Sequence, residues 1–297
     1  MRKIVLGFFG DGPWSHGSLS RLLADDSIRV AFICVRFDQP DEELRRIASN
    51  YGIDFYSHKN VNSNEFLAIA KSYKCDLFVS MSFNQIFKKE MLVSVPNGIV
   101  NCHAGKLPFY RGRNVLNWAI INGESEFGIT AHFVDEGIDT GDIIEQVSIP
   151  IEEFDNYATV LQKAYATCPL VLYSAVKKVQ TGNLLLIKQS EIHNFGSYCI
   201  QRKKGDERLN WNQSSRDIYN FVRAISQPGP EARTYLGQQE VKIAVMRFFP
   251  EATNYMGIPG SVISRNEYSF CVKTLDSFVQ VLKWSGCSIP KIGERFQ

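Results

Sequence analysis

VNCHAGKLPFYRGRNVLNWAIINGESEFGITAHFVDEGIDTGD, residues 100–142, brings three polar groups to the end of one apolar run. Asn101 and His103 stand two positions apart where a strand ends, and Asp139 lies on a Gly-flanked turn further along. Positions two apart on a strand share a face, so both side chains can address one reacting atom. A histidine that carries a proton, an amide that donates a hydrogen bond and a carboxylate that orients or charges the imidazole form a usable set for acyl transfer.

Toward the N-terminus, apolar runs at 3–9, 30–37, 54–57, 76–82 and 98–102 alternate with helix-length stretches at 14–23, 41–47 and 62–73. Continuous apolar strands separated by helices predict a parallel sheet covered on both faces, with ligands at the carboxyl ends of its strands. The turn after the first run, Gly10-Asp11-Gly12-Pro13, is not GxGxxG and does not predict a dinucleotide cofactor. Downstream, 113–122 reads as a helix, 127–134 and 143–149 as two strands, and 157–180 as a helix that Pro169 should kink or split. Beyond it the segment QRKKGDERLNW (201–211) is polar and basic. Ser214 or Ser215 can cap a helix with Ile218, Phe221, Val222 and Ile225 on one side, stopped by Pro228-Gly229-Pro230. The alternation at 240–245, 261–264, 268–274 and 278–284 predicts a small β barrel or sheet. The expected division is a catalytic domain at 1–182, a linker at 183–200 and a C-terminal helix plus β domain at 201–297.

A chain of 297 residues with 44% hydrophobic content can bury a sizeable core, and its formal charge of +2 argues against a protein built mainly to hold a nucleic-acid backbone. Its seven cysteines (Cys34, Cys75, Cys102, Cys168, Cys199, Cys271, Cys287) are scattered without a CxxC pair, so neither zinc-ligand spacing nor a disulfide framework is present. No segment approaches membrane-spanning length. A reduced, cytoplasmic protein without a bound metal is expected.

Asn101-x-His103, then Leu107-Pro108-x-Tyr110-Arg111-Gly112, Gly128-Ile129-Thr130 and Asp139-x-Gly141 together resemble the formyltransferases that use 10-formyltetrahydrofolate. Four blocks in order carry far more than any one of them. The resemblance implies an α/β fold, a mostly parallel Rossmann-like sheet with a smaller C-terminal OB-like β unit, and a catalytic trio of Asn101, His103 and Asp139. It also implies a 10-formyltetrahydrofolate site made by the backbone at Gln85, Ile86 and Phe87 and by a second loop with Asp135, Gly137, Ile138 and Asp142. The plain alternative is that Ile86 and Phe87 cap the core. The loop carrying Trp14 and His16 would lie beside the amine substrate.

The glycinamide ribonucleotide enzyme of this family has a single domain, against which the C-terminal unit counts. Methionyl-tRNA formyltransferase usually reads HxSLLP, where this chain has His103-Ala104-Gly105-Lys106-Leu107-Pro108. With DGPWSH, LNW and RKKGD, that departure is similar to the bacterial enzymes that formylate amino sugars carried on a nucleotide diphosphate. The function so implied is N-formylation of a nucleotide-linked amino sugar, a step of lipopolysaccharide O-antigen synthesis. Methionyl-tRNA formylation is the enzyme alternative, and a non-catalytic folate or nucleotide-sugar binding module is the alternative of another class. Lys106 and Arg111 to Arg113, with Arg202, Lys203 and Lys204, supply positive charge for a pyrophosphate, and Trp211 a flat surface for the base. A solvated basic linker is the plain reading of the same run. The expected partners are a nucleotide sugar and neither nucleic acid nor membrane. An exposed edge in the C-terminal sheet would make a homodimer plausible.

Overall fold

Each apolar run of the first half becomes a strand, and each amphipathic stretch after it a helix, in a computed structural model that describes residues 3–297. The expected first domain starts at Met1; Met1 and Arg2 lie outside the described residues. The chain opens β1 (Ile4–Gly10), α1 (Gly12–Leu23), β2 (Ile28–Val35), α2 (Glu42–Tyr51), β3 (Asp54–Ser57), α3 (Asn64–Ser72), β4 (Leu77–Met81), α4 (Lys89–Leu92) and β5 (Ile99–His103). Asp41 and Ser63 start α2 and α3 by accepting from the N–H groups of Leu44 and Phe66, which satisfies orphan donors of the first turn. Then come β6 (Arg111–Gly112), α5 (Val115–Ile121), β7 (Glu126–Phe133), β8 (Ile143–Pro150), α6 (Tyr157–Thr181), α7 (Gln189–Ile192) and β9 (Tyr198–Cys199). Pro169 lies inside α6 without dividing it, contrary to a split at that position.

The main sheet has the order β3-β2-β1-β4-β5-β7-β8. Strands β1 to β5 pair in parallel, whereas β7 runs antiparallel to β5 with Asn101 opposite His132 and His103 opposite Thr130. The sheet is therefore Rossmann-like and mixed. Phe8, Phe9, Phe32 and Phe78 are fully buried, as befits strands covered on both faces. Cys34, Cys75, Cys102 and Cys168 are buried in the same unit.

The last third forms α8 (Ser215–Ala224), β10 (Ala232–Leu236), β11 (Gln239–Arg247), β12 (Val262–Arg265), β13 (Phe270–Lys273) and β14 (Phe278–Ser285). Ser214 caps α8 through the N–H of Asp217. The five strands take the order β10-β11-β14-β13-β12, with each adjacent pair antiparallel. The outer strands β10 and β12 are each partly covered by the end of the chain. Phe296 bridges Leu236 beside β10, Arg295 bridges Ser261 beside β12, and Gln297 N–H donates to Tyr235 O at 2.9 Å. The tail thus lies against part of both edge strands and wraps the sheet into a small barrel.

Two compact units result. One contains the residues up to Gly112, Phe127–Ile149 and Gln162–Tyr198; the other contains Arg113–Glu126, Pro150–Leu161 and Cys199–Gln297. Among the described residues no helix is long and apolar enough to cross a membrane.

Candidate active site

Strand β5 ends in Asn101, Cys102 and His103. Alternation sends Cys102 to the opposite face, with its thiol 3.8 Å from the Cys168 carbonyl, and puts Asn101 and His103 on one side. The antiparallel pairing with β7 then adds His132 and Thr130 to that side.

Two backbone carbonyls fix the imidazoles. His132 Nδ1 lies 2.8 Å from Phe133 O and His103 Nε2 lies 2.7 Å from Tyr110 O, and a carbonyl only accepts, so each of these nitrogens carries a proton. His132 Nε2 lies 3.3 Å from Asn101 Nδ2. His103 is left with Nδ1 as its open nitrogen, 3.6 Å from Asp139 Oδ2.

Asp139 sits between the rings, with Oδ1 3.5 Å from His132 Nε2 and Oδ2 accepting from Gly112 N–H at 2.8 Å. Burial works to raise its carboxyl, but His103, His132 and the Gly112 N–H prevail and hold it well below the usual carboxylate range. It is charged at neutral pH. Burial pushes the His103 imidazole down from its ordinary 6.5, against the Asp139 charge and the Tyr110 carbonyl, with His132 adding to the decrease. Only 9% of His103 is exposed, so proton transfer there is shielded from bulk water.

The loop that presents Asp139 is tightly tied. Asp139 adopts a left-handed φ of 54°, Asp135 accepts from Gly137 N–H and Thr140 Oγ1 at 3.0 and 2.5 Å, and Asp142 O accepts from Phe133 N–H at 3.0 Å. A Cβ on Gly141 would collide with Phe133 O, so only glycine passes there. Thr130 of the Gly-Ile-Thr block donates to Gly105 O at 2.7 Å, and Gln146 donates to Leu107 O at 2.9 Å, which pins the segment after His103.

The remaining expected contacts divide between the two units. In the first, Gln85 bridges the backbone of His58 and Val61, Ile86 is 62% exposed, Phe87 packs against Phe9 and Phe83, and Ile138 is 50% exposed. Phe87 is therefore a core side chain, and only its backbone can serve a ligand. Trp14 packs edge-on against Tyr165, His16 pairs with Asp41 at 2.9 Å, and Lys106 is exposed. Arg111 is committed to Gln189. In the second unit Arg113 donates to Gln201, Lys204 is exposed, and Arg202 Nη2 donates to Asp206 O. Arg202 Nη1 is buried and has no hydrogen-bond partner among the described residues. Trp211 does not offer the flat surface expected of it. It is 3% exposed, its indole N–H donates to Thr234 Oγ1, and its ring packs on Phe296 in the barrel core. Two cavities of the second unit, of about 510 and 350 Å³, are lined by none of Asn101, His103 and Asp139.

His132 was not anticipated from the sequence. The signal lay in its spacing: two positions past Thr130 on an alternating strand, it had to share that residue's face.

Residues 2–176 match the profile of a family described as "Formyl transferase", and residues 202–289 match "Formyl transferase, C-terminal domain". A methionyl-tRNA formyltransferase from Thermodesulfovibrio yellowstonii is 30% identical over 285 residues, covering 93% of this chain and 89% of its own. An N-formyltransferase from Helicobacter canadensis, in complex with folinic acid and dTDP-3-aminofucose, superposes with a TM-score of 0.69 at 23% identity over 96% of this chain and 100% of its own. WlaRD, a sugar 3N-formyl transferase solved with dTDP and 5-N-formyl-THF, has a TM-score of 0.69 at 22% identity over 95% of this chain and 98% of its own.

Proposed function

The chain belongs to the formyltransferase family, and we propose that it moves a formyl group from 10-formyltetrahydrofolate to the amine of a nucleotide-diphosphate-linked amino deoxysugar. The observation that carries formyl transfer is the convergence of Asn101, His103 and His132 from one face of β5 and β7 with Asp139 from the loop that follows β7.

The folate donor supplies an activated formyl carbon when bound. The loops expected to hold it fit a flat heteroaromatic ring in that Ile86 and Ile138 present large apolar side chains to solvent. Asn101 donates an N–H to the negative charge developing on the acyl oxygen. The attacking amine must be unprotonated, and it sheds a proton as the new bond forms. His103 Nδ1 takes that proton, directly or through water, because Nε2–H is held by Tyr110. The resulting imidazolium faces Asp139, whose charge offsets the cost of creating a cation in a buried site. It can then return the proton to the donor's nitrogen as the bond from that nitrogen to the formyl carbon breaks, so that tetrahydrofolate leaves and the imidazole is neutral again. His132 Nε2 stands within 3.3 Å of the Asn101 amide and 3.5 Å of the Asp139 carboxylate, so its ring bounds the space that both side chains occupy.

The amino-sugar acceptor is supported by the second unit's charges. Arg216 pairs with Glu153 at 2.6 Å and Arg233 pairs with Glu207 and Glu240 at 3.3 Å, so these two cations are partly neutralised within the unit. The partnerless buried Nη1 of Arg202 suits an anionic oxygen such as that of a pyrophosphate. The full-length likeness to enzymes solved with dTDP or dTDP-3-aminofucose agrees with this reading. The 30% identity to a methionyl-tRNA formyltransferase favours the second reading, formylation of charged initiator tRNA. The test is turnover with 10-formyltetrahydrofolate against a panel of thymidine- and uridine-diphosphate amino sugars and against methionyl-tRNA. Turnover of a sugar with weak dependence on salt is expected. Formylation of the tRNA alone, falling steeply with salt, would overturn the proposal.

A further inference from the structure

We propose that Gln189 is a positioning residue for the reaction: it locks the turn that carries Asp139 and ties that turn to the segment after His103. The proposal rests on the reading of Asp139 as the counter-charge of His103. Gln189 opens α7, within the stretch expected to be a linker, and is only 3% exposed. Its amide makes four hydrogen bonds. Nε2 donates to Asp139 O at 2.8 Å and Gly141 O at 2.9 Å, and Oε1 accepts from Arg111 Nε at 3.0 Å and Nη2 at 2.6 Å. The neighbour of Arg111, Gly112, donates to the Asp139 carboxylate. A closed ring of bonds therefore runs from Gln189 to the Asp139 backbone, through its side chain to Gly112, and by Arg111 back to Gln189.

Two further features point the same way. Asp139 holds a left-handed φ, which aspartate tolerates better than most residues with a Cβ, and Gln189 grips the carbonyls on both sides of that turn and so fixes it. Arg111 is itself fixed: Gly196 packs against its guanidinium so closely that a Cβ there would collide with it, Tyr198 lies 5.5 Å from it, and its backbone N–H donates to Ser197 O at 3.0 Å. A glutamine is suited to this place because it offers two donors and an acceptor without adding charge beside Asp139. The carboxylate must stay within a few tenths of an ångström of its position to support the imidazolium, and a 1 Å misplacement costs up to about 100-fold in rate.

The test compares Gln189→Met, which removes all four bonds at similar volume, with Gln189→Glu, which keeps the acceptor for Arg111 and removes the donors to Asp139 and Gly141. Both should lower kcat by ~10 to 100-fold with little change in KM. Because His103 is faced by Asp139 and His132, loosening Asp139 in Gln189→Met, which adds no charge, should also move the acid limb of kcat to lower pH. Gln189→Met combined with Asp139→Asn should be no slower than Asp139→Asn alone, as expected of a residue acting through another. Wild-type kcat and an unmoved limb in a folded Gln189→Met protein would overturn the proposal, as would a double variant slowed by the product of the single effects. If Asp139→Asn itself kept full turnover, the reading of Asp139 would fail instead, so the two failures are distinguishable.

Discussion

Replacing Asp139 by Asn removes one charge and almost no volume. The carboxylate lies 3.6 Å from His103 Nδ1, and the side chains of His103 and Asp139 are only 10% and 13% exposed. At that separation an ion pair is worth about 4 to 5 kcal/mol with an effective dielectric constant of about 20. Since about 1.4 kcal/mol is tenfold in rate, complete loss of this support in the transition state would slow turnover about 1,000-fold. The carboxamide oxygen of the variant can still accept from Gly112 N–H, and the site can relax, so a fall in kcat of roughly 100 to 1,000-fold is expected, in line with the loss of an acid–base partner. The assay is release of tetrahydrofolate under saturating donor and acceptor, across pH, with thermal unfolding of each variant as the control. The acid limb of kcat should also move to lower pH, because burial then acts on His103 without its counter-charge. A folded Asp139→Asn protein with near-normal kcat and an unmoved limb would refute the electrostatic account.

Other outcomes follow from the second unit. Asp276 accepts from Ser215 N–H and Oγ–H at 2.8 and 2.6 Å and from Ser277 N–H at 2.7 Å, so Asp276→Ala should cost about 1 to 3 kcal/mol in denaturant unfolding. Burial raises the Asp276 carboxyl, but these bonds prevail and bring it down to about 2; its contribution should be complete above 3.8 and disappear as pH falls toward 2, a dependence the variant should lack. Trp211→Ala should destabilise the barrel by ~3 to 5 kcal/mol, and a rise in KM at unchanged stability would instead place the ring against substrate. Lys204→Ala should raise KM for a nucleotide-linked amino sugar more than it lowers kcat; a fall in kcat at constant KM would contradict a remote phosphate contact.

Much of this fold was legible because β1, β2 and β4 are continuous apolar runs, and two-sided burial leaves no other use for such sequence. Strand β10 was missed: Ala-Arg-Thr-Tyr-Leu is short and polar, and it is a strand because β11 and the tail pair with it. Asn101 and His103 were readable from period two on one strand. His132 required the register between β5 and β7, a non-local fact that no window of sequence contains. Gln189 was hidden for the same reason, being a polar residue in an irregular stretch whose four bonds reach residues between 48 and 78 positions away. Trp211 misled because an aromatic beside a basic run suggests a ligand surface, whereas Thr234 and Phe296 claim it from distant parts of the chain.

The distribution of cysteines gives the protein a built-in reporter of its own breathing. Cys34, Cys75, Cys102 and Cys168 are buried and belong to the unit that carries His103; Cys199, Cys271 and Cys287 are half-buried and belong to the other. Burial pushes the thiols of Cys34 and Cys75 up to about 12, so they are neither accessible nor ionised while the unit is closed. Alkylation under native conditions should therefore mark the second unit first. The slower modification of Cys102, directly between Asn101 and His103, would time the opening of the catalytic strand itself, and a folate or sugar ligand that closes the unit should lengthen that time in proportion to its hold.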